Sequence, residues 1–212
     1  GDRISESEIA KTCDVSRQPV REAFIRLAGE GLLAILPQRG TIITKINYTD
    51  VLNARFLREA IEADIVAILA ANPDAALIRE LRAQLTAQQA VARDKPSEFI
   101  ELDERFHRTM ADGADKRGAW RRIEGLKSQM DRVRFLSLGH FPAEKLVTQH
   151  KAVVDNIENG QMIAANAAIR GHLREVLDDL PRILTANPEF FELPEGGIPT
   201  PVNAPIQGGD LQ

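Results

Sequence analysis

The chain of 212 residues has one cysteine, one tryptophan and one tyrosine, and aromatic residues make up only 5% of it. A single thiol excludes an internal disulfide framework, so packing and polar contacts must hold the fold, and a cytoplasmic setting is expected. No apolar run approaches the roughly 20 residues needed to cross a bilayer. The first residues show no charged-then-apolar leader pattern, and export is not expected. Nor does one sign of charge dominate. Lysine and arginine total 27 against 31 aspartates and glutamates, a net charge of −4. That average hides an uneven distribution. Residues 1–46 carry seven basic and six acidic side chains, residues 47–185 twenty and twenty-one, and residues 186–212 none and four. The acidity is mostly a tail, so the average does not exclude a nucleic-acid partner. The 43% of hydrophobic residues suffices for a core, excludes chain-wide disorder and suits one large domain or two small ones.

Proline and glycine divide the chain. Residues 186–212, from Asn187, Pro188 and Glu189 to Gly208, Gly209 and Asp210, show no period and are expected to form a flexible or extended tail. Between residues 51 and 185 apolar residues recur at three- and four-residue spacing, punctuated at Pro73, Pro96, Gly113, Gly118, Pro142 and Gly160. About six helices in an all-α bundle are expected there. Residues 47–50, including Tyr48, are expected to be a linker.

Residues 1–46 follow a different pattern. Ser5-Glu6-Ser7-Glu8 fits a capping box opening a short helix that ends near Cys13. Asp14 and Val15 then turn, and Ser16 suits the N-cap of a second helix with Pro19 in its first turn. Val20, Ala23, Phe24 and Leu27 form one face of it, while Arg17, Gln18 and Arg21 share a flank. This helix is expected to end at Gly29 or Gly31. Two strand-like stretches, Leu32 to Leu36 and Thr41 to Ile46, are joined by Pro37-Gln38-Arg39-Gly40, a hairpin with a basic tip. Helix, turn, helix and basic hairpin make a winged helix-turn-helix. A helix fits the major groove, arginines near its start meet guanine edges or phosphates, and an arginine on a thin wing reaches a flanking groove.

The run Val15-Ser16-Arg17-Gln18-Pro19-Val20-Arg21-Glu22-Ala23, followed by Leu27, Glu30-Gly31-Leu32 and Arg39-Gly40, resembles the GntR superfamily of bacterial transcription regulators. The resemblance implies double-stranded operator DNA as partner. Ser16, Arg17, Gln18 and Arg21 would contact it from the recognition helix, and Arg39 and Gly40 from the wing. It also implies that the family's first helix would precede Gly1.

Three polar intrusions stand out in the helical region. Between about Ser97 and Ala111 the stripe Phe99, Leu102, Phe106, Met110 includes Asp103 and His107. Between about Ala143 and Glu158, His150 lies among Leu146, Val153, Val154 and Ile157. In the last helix His172 lies among Ile169, Leu173, Val176 and Leu180. The fourth histidine, His140, is expected in a loop, within the run Gly-His-Phe-Pro. A buried carboxylate or imidazole is costly without a partner, and one Asp with three His facing a common interior can satisfy one another by sharing a metal ion. Asp103 and His107 are one helical turn apart. The plainer alternatives are core histidines bonded to carbonyls or carboxylates and an intrahelical Asp103–His107 bond. Leu102-Asp103-x-x-Phe106-His107, Gln149-His150-x-x-Val153 and Ala168-x-x-x-His172-Leu173 resemble the FCD effector domain of the FadR-like branch. Metal-binding members use one Asp and three His at these places, which implies one divalent ion per chain on Asp103, His107, His150 and His172. Zinc, nickel, copper or iron suits imidazoles, and a carboxylate admits manganese. Arg58 and Arg134 lie on or beside inward faces of their helices and are candidates for clamping an anionic ligand. Solvated or salt-bridged arginines are the alternative. Trp120 is expected in the core.

The fold class expected is therefore mostly α, a winged helix-turn-helix followed by an FCD-like helical bundle. The leading function is a metal-dependent transcription regulator, a homodimer acting as a repressor, whose effector is a small organic or sugar acid. Two alternatives stay open. One is the same regulator with a structural metal and an acyl-CoA effector. The other is a helical metalloenzyme, disfavoured because Glu101 and Glu104 point off the Asp103 face and leave no evident general base.

Overall fold

The structure, a computed structural model, describes residues 1–138 and 143–199. His140 and Pro142, and the tail beyond residue 199, lie outside the described residues.

The N-terminal unit runs β1 (Arg3–Ile4), α1 (Glu6–Thr12), α2 (Arg17–Gly29), β2 (Leu33–Leu36) and β3 (Gly40–Ile43). Ser5 caps α1 by accepting from the Ser7 amide, and Cys13 ends that helix. Asp14, at φ 53°, takes the left-handed turn that separates α1 from α2. Ala10, Val20, Phe24 and Leu33 close a small core between the two helices and the sheet. The antiparallel strands lie in the order β1-β3-β2, and Leu36 pairs with Gly40 at the wing tip. The turn between them needs positive φ at Gln38 and Gly40, and Gly40 meets this without steric cost.

The rest of the chain runs β4 (Ile46–Asn47), α3 (Tyr48–Ala71), α4 (Ala75–Val91), α5 (Pro96–Gly113), α6 (Arg117–Glu124), α7 (Ser128–Leu138), α8 (Glu144–Glu158) and α9 (Met162–Ala186). Its helix starts follow their capping chemistry: the Asn47 side chain accepts from the Asp50 amide, Asp74 accepts from Ala76 and Leu77, and Pro96 opens α5. The long helices α3 and α9 are principal partners, with α8 beside α9 and α4. Val66, Leu81, Phe106, Trp120, Val153 and Ile169 lie in the core they enclose.

Three expectations need correction. Among the described residues, seven helices rather than six span residues 48–186, and Gly118 lies inside α6. Tyr48 is not in a linker: it begins α3, and only 2% of it is exposed. The tail is ordered at its start. Pro188–Phe190 forms a 3-10 turn, and β5 (Phe191–Glu192) pairs in parallel with β4. Phe191 is buried with Ile46, Tyr48 and Leu180. Local pattern could not reveal this, because the partner strand lies at the far end of the domain's sequence.

Helix α7 ties the two units together. Ser128 Oγ donates to the Glu30 carbonyl at 3.2 Å, Gln129 Nε2 to the Gly31 carbonyl at 3.1 Å, and Arg132 Nη2 to the Thr44 carbonyl at 2.8 Å.

Candidate metal centre and nucleic-acid interface

Helix α5 supplies Asp103 and His107, α8 supplies His150 and α9 supplies His172, all at most 3% exposed. Each offers one ligand atom, and these atoms lie within 4.8 Å of one another. His150 Nε2 is 3.1 Å from His172 Nε2, which is 3.3 Å from His107 Nε2. Asp103 completes the group, with Oδ1 3.5 Å from His150 Nε2 and Oδ2 3.9 Å from His107 Nε2.

The outer ring nitrogens show why this arrangement suits a cation. Gln88 Nε2 donates to the Leu102 carbonyl, so its Oε1 accepts from His150 Nδ1 at 2.8 Å. Gln149 Nε2 donates to Glu175, so its Oε1 accepts from His172 Nδ1 at 3.0 Å. Glu62 Oε2 accepts from His107 Nδ1 at 2.5 Å. With all three Nδ1 atoms donating, a neutral ring presents an Nε2 lone pair inward. Three inward lone pairs, with the His172 Nε2 at 3.1 and 3.3 Å from the other two, repel unless a positive charge lies between them. Asp103 Oδ1 adds a buried carboxylate oxygen with no hydrogen-bond partner among the described residues.

Burial and neighbouring charge set the protonation of Asp103, His150, His172 and Glu62. Burial alone would raise the Asp103 pKa, but Arg134, which donates to Oδ2, and the nearby Arg58 hold it well below the usual carboxylate range. Burial pushes His150 down to about 3, and burial together with the adjoining rings holds His172 well below its ordinary value. Burial opposes ionisation of Glu62, but Arg58 and His107 bring it down to about 2. The residues present thus fit a divalent ion: imidazole nitrogens and a carboxylate, with the outer nitrogens already oriented.

Of the two arginines considered for an anion clamp, Arg134 grips Asp103 and lines a narrow cavity of about 40 Å³ beside His172. Arg58 is buried and donates to Glu62 at 2.7 Å, and it is not among the residues lining that cavity. Sequence reasoning missed Glu62 and Gln88, and it gave Gln149 no role beyond its place beside His150. A signal was available for the first two. Glu62 falls on the same helical stripe as Val51, Arg58, Ile65 and Leu69, and Gln88 on that of Leu81 and Leu85.

In the N-terminal unit Arg17, Gln18 and Arg21 are exposed on α2, and Arg39 and Gly40 are exposed at the wing tip. Gln18 Nε2 donates to Glu22 at 2.9 Å, and Arg21 Nε lies 3.7 Å from Glu6. Ser16 occupies the N-cap position of α2, but its side chain makes no capping hydrogen bond.

Comparison with known proteins agrees with both halves of this description. Residues 1–43 match the model for bacterial regulatory proteins of the gntR family, and residues 54–175 match the FCD domain. The chain is 37% identical over 193 residues to the HTH-type transcriptional repressor RspR of Escherichia coli, covering 90% of this chain and 85% of that protein. It is 36% identical over 200 residues to an HTH-type transcriptional regulator from an unstable DNA locus of Streptomyces ambofaciens, covering 94% and 84%. Among solved structures, E. coli McbR/YncC superposes with a TM-score of 0.75 at 16% identity, covering 86% of this chain and 88% of that one. With a helix-turn-helix ahead of a helical effector domain, this chain belongs to the GntR family of DNA-binding bacterial transcription regulators and carries an FCD domain.

Proposed function

We propose that this regulator is a metal-dependent repressor, active as a homodimer on a two-fold operator, whose response is set by a small organic or sugar acid. The observation that carries the reading is the gathering of three buried imidazoles and the Asp103 carboxylate, whose ligand atoms lie within 4.8 Å of one another, with Asp103 Oδ1 lacking a hydrogen-bond partner among the described residues. Asp103, His107, His150 and His172 would hold one divalent ion (zinc, nickel, manganese or iron), which would supply a Lewis-acidic anchor for a carboxylate. Arg134, which donates to Asp103 and lines the space beside His172, would meet the ligand's remaining negative charge. The space beside His172 is about 40 Å³, which favours a compact effector over an acyl chain. Arg58 keeps Glu62 ionised and in place behind His107, a supporting role rather than a clamp.

In the N-terminal unit, Arg17, Gln18 and Arg21 read the major groove, the free Ser16 hydroxyl meets a phosphate, and Arg39 with Gly40 enters the flanking groove. The route between the sites is α7. Its Arg134 holds a ligand residue, and its Ser128, Gln129 and Arg132 hold backbone carbonyls at both ends of the β2–β3 hairpin. A ligand that moves Arg134 therefore biases the placement of the winged unit, provided it prefers one arrangement over the other.

Elemental analysis of untagged protein purified without chelator, beside Asp103→Ala, tests this reading. About one transition metal per chain, lost in the variant, is the expected result. Metal-free protein that also refuses added zinc, nickel and manganese would overturn it.

A further inference from the structure

A second, larger cavity of about 590 Å³ lies where the two units meet, within the size range of small-molecule sites. Its apolar wall is drawn from both: Leu32 precedes β2, Ile46 lies in β4, Ile100 in α5, Phe135 and Leu136 in α7, and Phe190 in the 3-10 turn. Phe135 and Phe190 are 57% and 45% exposed. Helix α7 separates this space from the histidine cluster. Ser128, Asp131, Arg132, Phe135 and Leu136 face the junction, whereas Met130, Val133, Arg134 and Ser137 face His172.

Most polar groups of the wall already have partners. Asp131 pairs with Lys127 at 2.5 Å and Glu124 with Arg108 at 3.3 Å. Arg132 donates to the Thr44 carbonyl, and Ser128 to the Glu30 carbonyl. The Glu30 carboxylate, half-buried just past the C-terminus of α2, has no ion-pair or hydrogen-bond partner among the described residues. An unneutralised carboxylate and two open aromatic faces share one preference. The negative face of a phenyl ring attracts cations, as a carboxylate does.

We propose that the junction cavity is a second ligand site, for a small organic cation with an apolar body. Glu30 meets the charge, and Phe135 and Phe190 cover the body. Because Glu30 and Leu32 belong to the DNA-binding unit and the phenylalanines to the effector domain, such a ligand binds only when the two units are docked. It stabilises that placement independently of the metal.

The test uses tetraphenylphosphonium, an apolar cation that cannot ligate a metal, with tetraphenylborate as its charge-reversed counterpart of the same shape. Isothermal titration of the full chain is expected to give one phosphonium per chain, bound at least about tenfold tighter than the borate, the factor equivalent to ~1.4 kcal/mol. Glu30→Gln, a near-isosteric change, removes that preference, and Phe135→Ala weakens the binding of both ions. Absence of phosphonium binding, equal affinity for the two ions, or an indifferent Glu30→Gln variant with native circular dichroism overturns the proposal.

Discussion

Replacing Gln88 with leucine tests whether the histidine cluster is oriented from outside. Gln88 is fully buried, accepts from His150 Nδ1 at 2.8 Å and donates to the Leu102 carbonyl at 3.2 Å. Leucine fills a similar volume but accepts no hydrogen bond. The Leu102 carbonyl keeps its helical partner, so the main loss is at His150. Its Nδ1–H is left buried and unsatisfied, which costs about 1–3 kcal/mol. The ring escapes this cost by moving its proton to Nε2, and that tautomer cannot bind metal through Nε2. The cost therefore falls on the metal-bound state, and affinity is expected to drop roughly 5- to 150-fold. This range overlaps the ~10–100-fold known for losing a group behind a ligand. Competition against a chelating indicator, with zinc or nickel, measures it. Gln88→Glu keeps the acceptor and should retain affinity within a few-fold, which separates the acceptor's role from packing. Unchanged affinity in a folded Gln88→Leu protein would refute the assignment of the His150 tautomer, and with it the converging lone pairs.

Three further outcomes are expected. Arg21→Ala should weaken operator binding by about 1–3 kcal/mol if the side chain reads a base, and a gel-shift series showing unchanged affinity would remove it from the interface. Glu59 accepts from Arg55, Arg170 and Arg174, joining α3 to α9, so Glu59→Gln should destabilise by about 3 kcal/mol in urea. This is the low end for a broken buried pair, because Arg170 and Arg174 are partly exposed and can turn to water. Burial opposes ionisation of Glu59, yet its three arginines bring its pKa to about 2 from 4.5, so its contribution is present above about pH 4.5 and lost as pH falls toward 2. The wild type should therefore lose more stability over that interval than Glu59→Gln, and parallel curves would contradict the assignment. Phe191→Ala should cost about 3 kcal/mol and speed hydrogen exchange at Ile46 and Asn47, since Phe191 is buried against β4; unaltered exchange there would mean that β5 does not hold β4.

Much of this molecule was legible in one dimension. The hydrophobic period marked the helices, Ser5, Asp14 and the Pro37–Gly40 turn marked the winged unit, and Asp103, His107, His150 and His172 stood out as polar residues on apolar faces. These features follow from local geometry, because a helix of known period fixes which side chains share a face. What lies across that face is not local. Glu62 is 45 residues from His107, Gln88 is 62 from His150, and Gly31 is 98 from Gln129. Only the packing of α3, α4, α7, α8 and α9 around α5 and against the winged unit decides which outer group orients each imidazole, that the Arg58–Glu62 pair is buried behind His107, and that the Glu30 carboxylate at the junction is left without a partner among the described residues. A sequence period gives the direction of a side chain about its own helix axis, whereas the partner it meets depends on helix crossing and register set by the whole core.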